Sequence, residues 1–224
     1  DLEGVTLLVD LGGRNRYAAP VAAAGAGQAS LAVDLGSEIV FDSTGPAFGS
    51  GIFGIALLYA PEPGLKTFAA GDFALGAGFF GAGGVLAAGP SVSAASAHFS
   101  QGAGAFGAGV FSVSGDSAAF KADFASQGYG LTRGVGLWLA RGDGARADCG
   151  LRHPDPREEL ALLSMCQGVG HGPRAHAAGG MGLALVEGRG AALRASYFAQ
   201  GSGYWHAFGG LYARGAGSFS QNNL

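Results

Sequence analysis

The sequence predicts an all-β fold, a parallel β-helix or β-solenoid of about seven to eight rungs of roughly 26 residues with one loop or helix insertion. Three observations predict it. A Gly-x-Gly step recurs along most of the chain, period-two apolar runs follow the steps, and the 44 glycines sit in a sequence that is 48% hydrophobic. Glycine falls far above its usual ~7% share without occupying every third position, which excludes collagen. A disordered Gly-rich linker lacks such apolar content. A repeat array is one quasi-linear body, so residues 1–224 are read as a single solenoid domain.

The copies read AGAG at 24–27, FGSG at 48–51, LGAG at 75–78, QGAG at 101–104, QGYG at 127–130, QGVG at 167–170 and QGSG at 200–203, with an eighth starting at Gln221. After the step comes an alternating run. One set is Val5, Leu7, Val9; Ile55, Leu57, Tyr59; Val135, Leu137, Leu139; and Met181, Leu183, Leu185. Thr6 and Leu8, Ala56 and Leu58, Gly136 and Trp138, and Gly182 and Ala184 lie between them. Branched apolar residues on one face at period two mark a half-buried strand. Gly and Asp turns such as Gly115-Asp116 follow, and then a second run (Phe120-x-Ala122, Leu193-x-Ala195). Small residues are expected where opposite walls of a narrow coil approach.

Stacking turns equivalent positions into ladders. Gln101, Gln127, Gln167, Gln200 and Gln221 are expected to form an amide ladder. Phe73, Phe99, Phe198 and Phe219, each two residues before its anchor, are expected to form an aromatic one. Tyr129, Trp138, Tyr204 and Trp205 are candidates for an exposed aromatic contact face.

The pattern of QGxG, an alternating strand, a Gly-Asp or Gly-Asn turn and an aromatic (GGRNRY at 12–17, SQGYGLTRGVGLWLA at 126–140) resembles uncharacterised bacterial Gly-rich β-solenoid repeat proteins. The resemblance implies a solenoid and transfers no catalytic residue. GGxGxD is absent, so the calcium-binding nonapeptide repeat does not apply.

Anchor spacing lengthens to 40 between Gln127 and Gln167 and to 33 up to Gln200, which places an insertion at 148–180 with a short helix near 156–164, capped by Asp155 with Pro156 at its first position. This stretch holds Cys149 and Cys166. Three readings stand open: a Cys149–Cys166 disulfide stapling the loop, unpaired thiols, or a metal or catalytic site, the metal drawing on Cys149, His153, Cys166, His171 and His176 and the catalysis on a Cys/His pair oriented by Asp148 or Asp155. Glu158 and Glu159 read as a solvated charged face rather than the opposed carboxylates of a glycosidase. No cofactor is implied.

Net charge is −3, and the basic residues are scattered, which argues against nucleic acid as a partner. No apolar stretch is long enough for a transmembrane helix. Charged residues supply only 13%, about half the usual share, so the coil is expected to expose much Gly, Ala, Ser and aromatic surface that packs against something else. The sequence therefore points to a structural or interaction protein without enzymatic turnover. It would assemble with copies of itself or partner subunits, as an extracellular or cell-surface component whose chain opens and closes within repeats. The alternative is a carbohydrate-binding or carbohydrate-cleaving β-helix.

Overall fold

The structure, a computed structural model, describes residues 4–150, 152–155, 158–176, 178–215 and 217–221. It is a β-solenoid of about eight turns with no helix among the described residues. Three parallel sheets run along the axis. Sheet A comprises Val5–Asp10, Ala29–Asp34, Ile55–Ala60, Ala82–Ala88, Ala108–Ser114, Val135–Arg141, Met181–Glu187 and Phe208–Arg214. Sheet B comprises Arg14–Tyr17, Glu38–Ser43, Leu65–Ala70, Ser93–Ala95, Ala119–Ala122, Arg146–Cys149, Ala191–Ala195 and Gly217–Gln221. The narrow sheet C has seven strands of two or three residues, from Ala23–Ala24 to Gly203–Tyr204.

The recurring glycines are needed at one corner and along one wall. At the corner entering sheet C, Phe48, Leu75, Gln101, Gln127, Gln167 and Gln200 all adopt left-handed backbone (φ 48° to 64°). The glycine after each does the same (φ 77° to 85°). Two consecutive left-handed residues turn the chain sharply, and a glycine adopts the second at little steric cost. Along the wall, sheet C lies against the start of sheet A so closely that side chains are excluded. A Cβ on Gly109 would stand 2.0 Å from the Ala103 carbonyl oxygen, and one on Gly136 would stand 2.1 Å from that of Tyr129.

This contact inverts the expected facing of sheet A. Ala56, Gly83, Gly109, Gly136 and Gly182 occupy the inward positions nearest sheet C, so the alternate set points out. Val5, Leu7, Ile55, Leu57, Tyr59, Val135 and Met181 are exposed as a result. The core lies further along the rung, where the walls diverge. There the inward row Leu58, Val85, Phe111, Trp138, Ala184 of sheet A meets the row Phe41, Phe68, Ala94, Phe120, Ala147, Leu193 of sheet B. Sizes compensate across it: Trp138 shares its rung with Ala147, and its indole meets Phe120 edge-on at 5.0 Å. Trp138 is 0% exposed and Tyr129 2%, so neither belongs to an exposed aromatic face; both are core residues.

Two alignments also shift. Ala23 pairs with Ser50, which makes Val21-Ala22 the first corner and places Gly27 three residues later, level with Gly54. Ala22 takes φ 50° where other rungs use glycine. At the other end, Phe219 pairs with Leu193 and Gln221 with Ala195. Both sit in sheet B, outside the phenylalanine and glutamine columns.

Candidate functional site

The insertion begins after Cys149, the last residue of a regular sheet B strand, and ends where Ser164, Met165 and Cys166 rejoin the coil. Cys149 and Cys166 form a disulfide with Cα atoms 6.3 Å apart, and both are fully buried. Between them the chain folds as an antiparallel pair, Pro154–Asp155 with Glu158–Leu162, in place of the expected helix. Pro156 and Arg157 lie outside the described residues. With its ends tied together the segment must run out and back; an antiparallel pair does so while pairing its backbone, whereas an isolated helix of two turns is unstable. The disulfide constrains a 17-residue separation and is expected to stabilise the fold by about 3 kcal/mol. Urea unfolding of Cys149→Ser/Cys166→Ser should show the midpoint falling accordingly.

The disulfide removes both sulfurs from the candidate metal set, and His153 and His171 take other side-chain partners. His153 meets His98, their Nε2 atoms 2.8 Å apart. His171 Nδ1 pairs with the Tyr129 hydroxyl at 2.8 Å, and burial lowers its pKa. His176 is exposed; its carbonyl accepts the Trp205 indole N–H. Tyr204 is half-buried against His171 and Phe198, and Trp205 is 42% exposed.

The glutamine column is real from Gln101 to Gln200, but its bonds are mostly to backbone. Gln101 donates to the Lys121 carbonyl at 2.7 Å, Gln127 to that of Asp148 at 3.4 Å, and Gln167 to that of Arg194 at 3.1 Å. Gln200 donates to Ser220 O and to the Gln167 amide oxygen, the latter at 3.1 Å. These amides tie the glycine corner to sheet B in the next rung, a structural task. Phe73 and Phe99 stack at 5.3 Å; Ala125 and Met165 occupy the next two levels before Phe198.

Two outer surfaces differ sharply. The first is sheet A. Its three outward rows start at Val5, Leu7 and Val9 and end at Phe208, Gly210 and Tyr212; these 24 positions carry no charge, and their polar groups are the hydroxyls of Tyr59, Ser112 and Tyr212. Eight strands at ~4.8 Å spacing and three rows at ~6.6 Å make a face of roughly 34 by 13 Å. An exposed aromatic ladder flanks it. Phe53, Phe80 and Phe106 stack at 4.8 and 4.7 Å and are 56%, 51% and 46% exposed. The strings GIFG, GFFG and GAFG carry this ladder at the repeat spacing, a signal the sequence reading passed over. On the opposite margin run Arg141, Glu187 and Arg214, linked at 3.2 and 3.3 Å.

The second surface is the outer side of sheet B. Small residues (Ala69, Ala95, Ala97) leave a hollow of about 480 Å³ bordered by Lys121, Asp123, Asp148, Arg152 and Arg194. Both carboxylates face an arginine: Asp148–Arg194 at 2.9 Å and Asp123–Arg152 at 3.7 Å. Comparison with protein families, curated proteins and solved structures finds no match. The chemistry of these surfaces must speak for itself. Deeper ionisable groups are engaged within the coil. Lys66 donates to the Glu62 and Ala88 carbonyls, and desolvation lowers its pKa. Asp34 accepts hydrogen bonds from Asn15, Tyr17 and Gly36.

Proposed function

We propose that this chain is an interaction protein without turnover of its own, which self-associates by packing the outer face of sheet A against the same face of a second copy. The observation that carries the proposal is the run of 24 outward positions with three hydroxyls and no charge. Monomeric soluble proteins seldom expose contiguous apolar patches beyond a few hundred Å². With the phenylalanine ladder included, the face reaches roughly 500 Å², more than half of the ~800 Å² per partner of a standard-size interface. A charge-free surface gives a charged partner nothing to recognise, whereas two flat apolar sheets satisfy each other in the manner of a sandwich, about 10 Å apart. A disulfide-closed insertion fits an oxidising, extracellular setting.

Sedimentation of the purified chain over a concentration series tests this, with a dimer or larger assembly expected in the micromolar range. A monomer throughout would reject self-association. Binding of that monomer to lipid vesicles would give the face a membrane as its occupant.

The hollow on sheet B supports a second reading, carbohydrate binding on the opposite side of the coil. Because each of its acids is held by an arginine, the arrangement suits hydrogen bonding to sugar hydroxyls better than general acid–base cleavage. Retardation of the protein in polysaccharide-containing gels, abolished by Arg194→Ala, is the expected result on that reading.

A further inference from the structure

We propose that His98 and His153 form a binding site for a divalent transition metal ion, copper(II) before nickel or zinc, with Asp72 as the residue that orients His98. This goes beyond assembly: the pair lies where the insertion meets the coil, away from the sheet A face.

The two imidazoles arrive from chain segments 55 residues apart. His98 precedes the phenylalanine of its corner, and His153 stands at the root of the hairpin, where its carbonyl accepts the Leu163 amide at 2.7 Å. Asp72 fixes His98 twice. One carboxylate oxygen accepts from the His98 amide at 3.0 Å and pairs with ring Nδ1 at 2.7 Å. That contact assigns the Nδ1 proton and directs the Nε2 lone pair outward, the carboxylate–histidine arrangement found behind metal-bound imidazoles. Phe124 packs against both rings, with centroids 6.4 Å from His98 and 5.6 Å from His153. The His98 side chain keeps 31% of its surface exposed, so a hydrated ion can reach it.

Donor type ranks the metals. Two imidazole nitrogens bound at ~2.0–2.1 Å stand about 2.9 Å apart at a cis angle near 90° and about 3.3 Å apart at a tetrahedral angle. The observed 2.8 Å is a hydrogen bond in the metal-free protein and brings the two nitrogens close enough to share one ion in either geometry; copper heads the affinity order for such donors. Among the described residues no group of three or more His, Cys, Asp or Glu is placed to hold an ion, so water or an incoming ligand fills the remaining positions. In the metal-free protein the His153 Nε2–H donates to His98 Nε2; on binding, His153 gives up that proton and takes one up at Nδ1 by exchange with solvent, so that both rings stay neutral and both Nε2 lone pairs go to the metal.

Titration of the full, disulfide-bonded chain with copper(II) chloride, followed by calorimetry and electron paramagnetic resonance, tests the proposal. One site per chain is expected, with hyperfine structure from two imidazole nitrogens. His98→Ala and His153→Ala should each weaken binding at least tenfold, and Asp72→Asn by roughly ten- to a hundredfold. His176→Ala and His206→Ala should change nothing. His153→Gln keeps a side chain able to hydrogen-bond His98 and guards against misfolding of the alanine variants; with native circular dichroism it should lose copper equally. Undiminished binding in His98→Ala and His153→Gln, or no saturable uptake by the native chain, overturns the site.

Discussion

Ile55→Lys combined with Val135→Lys is expected to leave the coil folded and to weaken self-association by at least about 10³-fold, roughly 4 kcal/mol. Both residues lie in one outward row of sheet A, three strands apart, and are 63% and 37% exposed. Neither supports the core, so the cost to folding should stay within the ~1 kcal/mol span of strand preferences. In a face-to-face pair each copy would bring two ammonium groups into an apolar contact with no carboxylate within the three rows to receive them. Sedimentation at matched concentrations should show the native chain associated and the variant monomeric, with unchanged circular dichroism. Equal association of the two proteins would show that this face is not the interface.

Gly109→Ala is expected to destabilise the coil by at least about 4 kcal/mol, a magnitude reserved for severe packing or backbone conflicts. The added carbon would stand 2.0 Å from the carbonyl oxygen of Ala103 and 2.8 Å from that of Gly76. Both are backbone atoms held in the stack, so no side chain can swing away to admit it. Gly45→Ala is the matched control: a Cβ there meets nothing within 4 Å and its φ is not in the left-handed region. That substitution should be neutral, or stabilising by up to ~1 kcal/mol through the unfolded chain. Urea denaturation separates the two, and similar midpoints would refute the close approach of sheets A and C.

A column of Gly-x-Gly corners was legible in the sequence because one geometric demand, two left-handed residues in succession, recurs at six levels and leaves glycine at Gly49, Gly76, Gly102, Gly128, Gly168 and Gly201. The first corner was misaligned for the same reason. Ala22 adopts φ 50° without a glycine, and the next Gly-x-Gly stands three residues on, out of register with the column. The position of the insertion was also legible, as a break in spacing, as was the cysteine pair that closes it.

What the tertiary structure alone decided is direction and partnership. Period two states that a strand has two different faces without stating which one looks inward. Sheet C decided that for sheet A: its backbone comes too near for a Cβ at Gly83, Gly109, Gly136 and Gly182, so the branched row must point outward. That choice put Trp138 in the core and turned the face read as half-buried into the exposed one. The 148–166 segment formed a hairpin because the disulfide brings its ends together, a constraint that local helix signals at Asp155 and Pro156 cannot register. Likewise His98 and His153 meet only because stacking and the disulfide bring together segments 55 residues apart. Local pattern determines the corners and the spacing of the rungs; long-range contact between walls determines which side of each strand meets solvent and which distant side chains meet each other.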